Sequence, residues 1–331
     1  MGILGRLGGG DDGSLATGLP ASPATLNLTD LELMVQWCNS THQALARNET
    51  VGYIWRCLVP EEALSHPFLM HGILALSALH LARIRDDHHR PAYKSLAVAH
   101  QNQALTLFRE LLDDINDSNA KAMFSFASVV ALYAFGFPHE PDLNDPWTNI
   151  DDLHQVLVLI RGVQQVVNRA STPLRHSDFS LLLQLDDHEP LLSDDARLAL
   201  EELLEVNSVC GAQDETHDTE IYEAVIQNLM ETLSKIHQDS SLTSVGRWAI
   251  RLKPRYVDLV QEHAPLALVI LAYYCVILHY QRHHWCIDNW SFRVSRAIWL
   301  VLDDQWRPLT RWPMVQIFGQ NFLDEENTAI D

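Results

Sequence analysis

A chain of 331 residues in which 47% of side chains are apolar and 20% charged has the mass for one large globular domain or two ordinary ones, and this balance excludes general disorder. Its 23 Lys and Arg against 43 Asp and Glu leave a formal net charge of −20. Such a field repels phosphate backbones and anionic lipid, so no direct nucleic-acid binding is expected of this chain.

The first 28 residues are rich in Gly, Ser, Pro and Asp and are expected to form a disordered tail. The start, MGILGRLGGGDDGS, lacks an apolar stretch long enough for a secretory signal, and Arg6 stands where myristoylation after Gly2 needs Ser or Thr. The glycine run follows no strand and has neither dinucleotide nor Walker spacing. Without import into a glycosylating compartment the sequons at Asn27, Asn39 and Asn48 are inert.

From Thr29 the hydrophobic period is helical. Thr29 or Asp30 can cap a helix with Leu31, Met34, Cys38 and Leu45 on one face. Ser65 and Pro67 open a second helix, HPFLMHGILALSALHLARI, apolar on all sides and therefore expected inside the core. A third has Leu105, Phe108, Leu111, Leu112 and Ile115 on one face, with Gln101, Arg109, Glu110 and Asp113 opposite. Asn116 to Asn119 breaks it, and Ala120 to Phe137 forms another buried helix. After the polar loop HEPDLNDP, the positions Ile150, Leu153, Val156, Leu157, Ile160, Val163 and Val167 predict an amphipathic helix. An irregular acidic segment from Ser171 to Pro190 precedes helices at Asp194–Val206 and Thr219–His237, with a polar Cys-Gly loop between them.

The last third is expected to pack short helices around two longer ones. The run Ala264 to Tyr280 falls short of the ~20 residues that span a bilayer and is closed by Arg282, His283 and His284, so it predicts a core helix and no membrane span. Trp290, Val294, Ile298 and Val301 share a face of the other. With no period-two strands and no fixed-period repeat, the predicted fold is all-α: a multi-helix globular domain with buried central helices and room for an apolar cavity. The boundaries drawn are a tail over 1–28, an all-helical regulatory or ligand-binding domain over 29–318, and an acidic tail over 319–331.

Five cysteines, Cys38, Cys57, Cys210, Cys275 and Cys286, are widely spaced, which fits reduced thiols in the nucleus or cytoplasm and no zinc knuckle. The densest histidine group is His283-His284-Trp285-Cys286. Adjacent histidines on a helix point about 100° apart, so they are poorly placed to share a metal. His66, His71 and His80 read as interior histidines with hydrogen-bond partners. Asp86-Asp87, Asp151-Asp152, Asp186-Asp187, Asp194-Asp195 and Asp303-Asp304 fall at predicted helix ends or loops, Asp151-Asp152 and Asp194-Asp195 in first turns. No GxSxG, HExxH or catalytic-cysteine context is present, and no metal, cofactor or catalytic residue is expected.

The strings HPFLMHGILALSALHLA, NAKAMFSFASVVALYAFGFP, PLALVILAYYCVILH and RWPM resemble the regulatory domain of fungal zinc-cluster transcription factors, in the branch of sterol uptake control proteins. The resemblance runs from about Leu31 to about Met314 and implies an all-helical fold. In sterol-responsive members that domain binds ergosterol in a deep apolar pocket that governs nuclear entry and transcription. The family's DNA-binding part is an N-terminal six-cysteine zinc cluster with a basic linker. Here no cysteine precedes Cys38 and the N-terminal tail is not basic, so the chain is expected to lack that head.

By this likeness Met70, Leu74, Phe124, Val130, Tyr133, Tyr273, Tyr274 and Ile277 are the ligand-binding candidates for a sterol- or terpenoid-like molecule. The expected role is sensing an apolar molecule and relaying this to a protein partner or a second copy. Two alternatives stand beside it: an enzyme acting on an isoprenoid or polyketide in the same cavity, and a ligand-free dimerisation or adaptor module.

Overall fold

The structure, a computed structural model, describes residues 26–86, 88–137, 145–184, 190–236 and 242–322. Most of both expected tails, Asp87, most of the HEPDLNDP loop and Asp186-Asp187 lie outside the described residues. Among the described residues every regular element is helical, in agreement with the all-α expectation.

Helix α1 spans Leu28–Asn39. Its cap is Asn27 rather than Thr29 or Asp30: the Asn27 side chain accepts from the Asp30 amide at 3.2 Å, using one of the free N–H groups of the first turn. The buried face carries Leu33 and Trp37, while Leu31 is exposed. A 3₁₀ turn, Thr41–Leu45, follows, and Leu45 belongs to it rather than to α1. Residues 49–63, read as no element from the sequence, are helical in three pieces: α2 (Glu49–Tyr53), a π-helical turn (Ile54–Leu58) and α3 (Val59–Ala63). Pro60 does not stop the chain: the backbone stays helical through Leu58 and Val59 into α3, and the Trp55 carbonyl, five residues before Pro60, accepts the Trp37 indole N–H.

Helix α4 (Pro67–Ile84) starts on Pro67 as expected and is buried on all sides. It is long and apolar enough to cross a membrane, and it packs instead against α1, α5 and α6 as a core helix. Helix α5 spans Arg90–Arg109, so it begins earlier than its apolar pattern implied and ends before Leu111. Gln101, assigned to the polar face, is buried, because α5 lies along the whole of α4. Helix α6 (Ala120–Gly136) follows the Asn116–Asn119 break, where the Asn119 side chain accepts from the Asn116 amide at 2.9 Å.

Helix α7 (Pro146–Arg175) is capped by Asp145, whose side chain accepts from the Trp147 amide. It continues through Pro173, and a short α8 (Ser180–Leu183) occupies part of the segment expected to be irregular. Asp151 and Asp152 lie beyond the first turn, and their partners are tertiary rather than dipolar: His263 at 2.9 Å and Arg293 at 2.9 Å. Helix α9 (Asp194–Gln213) runs through Cys210 and Gly211, the pair expected to form a loop. Helix α10 spans Thr219–Leu233 and packs on α9.

Helices α11 (Thr243–Ile250) and α12 (Pro254–Gln261) lead to α13 (Pro265–Tyr280), with a bend of 104° between α12 and α13. Every residue of α13 from Leu266 to Leu278 is buried, as its unbroken apolar run predicted. At about 1.5–3 kcal/mol for each large apolar side chain withdrawn from water, this helix anchors the last third of the fold. Helix α14 (Trp290–Val301) lies against α7 and α13, and α15 (Arg311–Phe318) closes the end. One continuous cluster of buried side chains extends from Leu33 to Phe322, past the boundary drawn at residue 318.

Candidate functional site

Between α6, α7 and α11 the helices leave a cavity of about 340 Å³. Such a volume lies at the small end of the range for small-molecule sites. From α6 it is lined by Phe124, Ser128, Ala131, Leu132 and Phe135, and from α7 by Ile160, Val163 and Val167. Leu182 and Leu183 of α8 and Ile287 close parts of the wall, and α11 adds Val245, Gly246, Arg247 and Ile250. The segment after α1 completes it with Ala44, Leu45, Arg47, Val51 and Trp55.

Local chemistry explains why these elements hold their positions. Trp55 sits in the π-helical turn, whose carbonyl at Trp55 accepts the Trp37 indole N–H at 2.8 Å inside the core. The Tyr274 hydroxyl donates to the Val245 carbonyl at 3.1 Å, and its ring stacks on Trp248 with centroids 4.3 Å apart. Trp248 in turn reaches the Val225 carbonyl at 3.4 Å. Tyr274 and Trp248 therefore fasten α11 to α13 and α10 from behind the cavity wall.

Of the eight residues proposed from the sequence, Phe124 lines this cavity. Met70 and Leu74 belong to α4, Val130 and Tyr133 to α6, and Tyr273, Tyr274 and Ile277 to α13, and none of these lines it. The tyrosine hydroxyls are occupied elsewhere: Tyr273 donates to the Leu309 carbonyl at 3.1 Å while its ring stacks on Trp312. Burial raises the pKa of Tyr133, Tyr273 and Tyr274, which keeps all three neutral.

Among the described residues, the polar part of the wall consists of Arg47, Arg247, Arg251 and Ser128, with no acidic side chain in the lining. Arg47 donates to the Leu181 carbonyl at 2.6 Å, Arg251 to the Glu231 carboxylate at 2.6 Å, and Ser128 to the Phe124 carbonyl at 3.0 Å. Arg247 differs from them. It is 8% exposed, and its buried Nε has no hydrogen-bond partner among the described residues. Sequence reading passed over all three arginines. The available signal was Val245-Gly-Arg-Trp-Ala-Ile250, where a single charge interrupts an apolar stretch.

Several of the described histidines are engaged with other side chains. His80 Nδ1 lies 3.0 Å from the Thr41 hydroxyl and its ring stacks on Trp285 at 4.4 Å, and burial lowers its pKa to about 4. His71 Nδ1 is 2.9 Å from His100 Nδ1; burial and then the charge of His100 lower its pKa, against an opposing pull from Asp30. The His283 and His284 rings lie 4.2 Å apart at a tilt of 38°, and among the described residues no group of three His, Cys, Asp or Glu is arranged to hold a metal. All five cysteines are free thiols, and burial pushes the Cys275 thiol up to about 12.

Fold and site together define an all-helical domain with a largely apolar pocket that has arginines in its wall. Residues 51–136 match the family described as Fungal specific transcription factor domain, a stretch that includes α4, α6 and the cavity residues Val51, Trp55 and Phe124. The chain is similar to Sterol uptake control protein 2 of Saccharomyces cerevisiae, 31% identical over 113 residues. It is also similar to Sterol uptake control protein 2 of Candida albicans, 32% identical over 126 residues. These alignments cover 34% and 37% of this chain but only 12% and 17% of those proteins. A Zn(2)-C6 fungal-type transcription factor of Gibberella zeae is 24% identical over 301 residues, 86% of this chain and 60% of that protein. Over parts of its length the chain is thus similar to a fungal transcription factor domain and to fungal regulatory proteins, in line with the resemblance read from its apolar helices.

Proposed function

We propose that the chain is a transcription-regulatory domain that holds an apolar small molecule, sterol- or terpenoid-like, in the cavity between α6, α7 and α11. Occupancy would be relayed to a protein partner or to a second copy of the chain, in the nucleus, where its transcription-factor relatives would act. The observation that carries this reading is the largely apolar cavity of about 340 Å³ that these helices line. The names of two relatives, sterol uptake control proteins, support the ligand class. The net charge of −20 favours a role through partners over direct contact with nucleic acid.

A ligand can shift such a domain only by binding one packing more tightly than another, and about 1–3 kcal/mol of difference suffices for a useful response. Ligand seated between α7 and α11 would touch elements joined to α10, α12, α13 and α14, so small changes in its contacts reach much of the domain.

The test is native mass spectrometry of the purified chain, followed by organic extraction and identification of bound molecules. A stoichiometric sterol or terpenoid is expected. An unchanged mass after incubation with both classes would overturn the reading and favour a ligand-free adaptor, and recovery of a chemically altered precursor would favour an enzyme.

A further inference from the structure

Among the described residues, the cavity wall contains a cation with no carboxylate to balance it. Arg247 lines the cavity, is 8% exposed, and has no ion pair among the described residues, and its Nε is buried without a hydrogen-bond partner. A guanidinium does not lose its proton in a protein, so it cannot escape the cost of burial by becoming neutral. Arg251 also lines the cavity and is paired with Glu231, and Arg47 donates to a backbone carbonyl. The remaining polar lining group, Ser128, donates its hydroxyl to Phe124. What the wall presents to a ligand is hydrocarbon plus positive charge and N–H donors.

We propose that the ligand is an apolar monocarboxylic acid, whose carboxylate meets Arg247 while its hydrocarbon body lies against Phe124, Leu132, Ile160 and Val163. This rests on the cavity being a ligand site and narrows the ligand to an acid. A carboxylate fits the observed deficit better than the hydroxyl of a neutral terpenoid or sterol. It accepts two N–H bonds from one guanidinium and cancels its charge, whereas a hydroxyl accepts a bond and leaves the charge buried. The chain's overall negative charge does not oppose this, since fields of distant exposed carboxylates are screened beyond about 8–10 Å and the lining itself is basic.

Isothermal titration of the full chain with two matched pairs tests the proposal: farnesoic acid against farnesol, and lauric acid against dodecan-1-ol. In whichever pair binds, the acid is expected to bind at least tenfold tighter than the alcohol, the usual scale of a charge-assisted bond. The two pairs separate a terpenoid acid from a straight-chain one. Arg247→Gln should erase the acid preference while leaving alcohol affinity within about twofold, and Arg247→Lys should keep part of it. If Arg247→Gln fails to fold, the wild-type acid-to-alcohol ratio and Arg247→Lys still decide. Equal affinity for acid and alcohol, or a preference that survives Arg247→Gln, overturns the acid and leaves the apolar cavity standing. No binding by either pair overturns the acid, while the cavity reading is judged separately by the sterol and terpenoid extraction described above.

Discussion

Tyr274 was a ligand candidate by resemblance, and its position behind the cavity wall makes a sharp prediction. Tyr274→Phe keeps the ring stacked on Trp248 and removes only the hydroxyl that donates to the Val245 carbonyl at 3.1 Å. A typical buried hydrogen bond contributes about 0.5–1.5 kcal/mol net, and a carbonyl left wholly unpaired costs about 1–3 kcal/mol. Val245 lies inside α11, so its carbonyl also has access to a helical N–H partner, which places the loss near 1 kcal/mol. Urea denaturation should therefore show a lower midpoint with an unchanged slope, while affinity for an apolar ligand stays within about twofold. Tyr274→Ala, which removes the stacked ring as well, should cost roughly 3–5 kcal/mol, as for other large aromatic truncations. If Tyr274→Phe kept full stability but lost ligand affinity severalfold, the hydroxyl would be serving the ligand, and the placement of the cavity would be wrong.

Gly72 lets α4 and α6 approach so closely that a Cβ there would lie 2.6 Å from a ring carbon of Phe126, so Gly72→Ala should lower stability by about 1–3 kcal/mol in thermal melts despite alanine's better helix propensity. An increase in Tm would show that the contact is slack. The histidines predict an acid-sensitive window. His80 and His279 have folded pKa values lowered to about 4 by burial, with Arg282 adding to the effect at His279, against an ordinary 6.5. The unfolded chain thus binds more protons between those limits, and stability should be full above pH 6.5 and fall progressively towards pH 4. Replacing His80 by Gln should flatten that fall in denaturant titrations at several pH values, and an unaltered slope would contradict the assignment. Trp37→Phe, which removes the indole N–H from the Trp55 carbonyl while keeping an aromatic ring, should cost about 1–2 kcal/mol and loosen the π-helical turn, read as faster amide exchange over residues 54–58.

The long buried helices were legible in the sequence because their physical signal is local. Continuous apolar runs bounded by Pro67 and Pro265, and the Asn116–Asn119 break before Ala120, located α4, α6 and α13 to within a residue or two. Residues 49–63 were not legible, because three short pieces joined through a π-helical turn carry no sustained period and Pro60 reads as a breaker. Pro173 and Gly211 misled in the same way: both residue types weaken helices, yet α7 and α9 run through them, with Leu174 and Asn207 held in the packed interior. The site was harder still. Periodicity says which face of a helix is buried but not which distant helix covers it, and the cavity gathers residues from Ala44 to Ile287. Of the candidates that the family resemblance offered, Phe124 lies in the cavity wall, and Arg247 was missed because a lone arginine between Val245 and Trp248 becomes informative only once its burial is known.

The central claim is that the cavity between α6, α7 and α11 holds an apolar molecule, and equilibrium dialysis with ergosterol and with farnesol tests it most directly when the chain is compared with Ala131→Trp, a substitution that puts an indole into the space. One molecule of at least one of these ligands should bind per wild-type chain, and binding should fall at least tenfold in Ala131→Trp with the helical circular dichroism spectrum retained. Equal binding by both proteins would place the ligand elsewhere, and no binding by the wild-type chain would remove the claim.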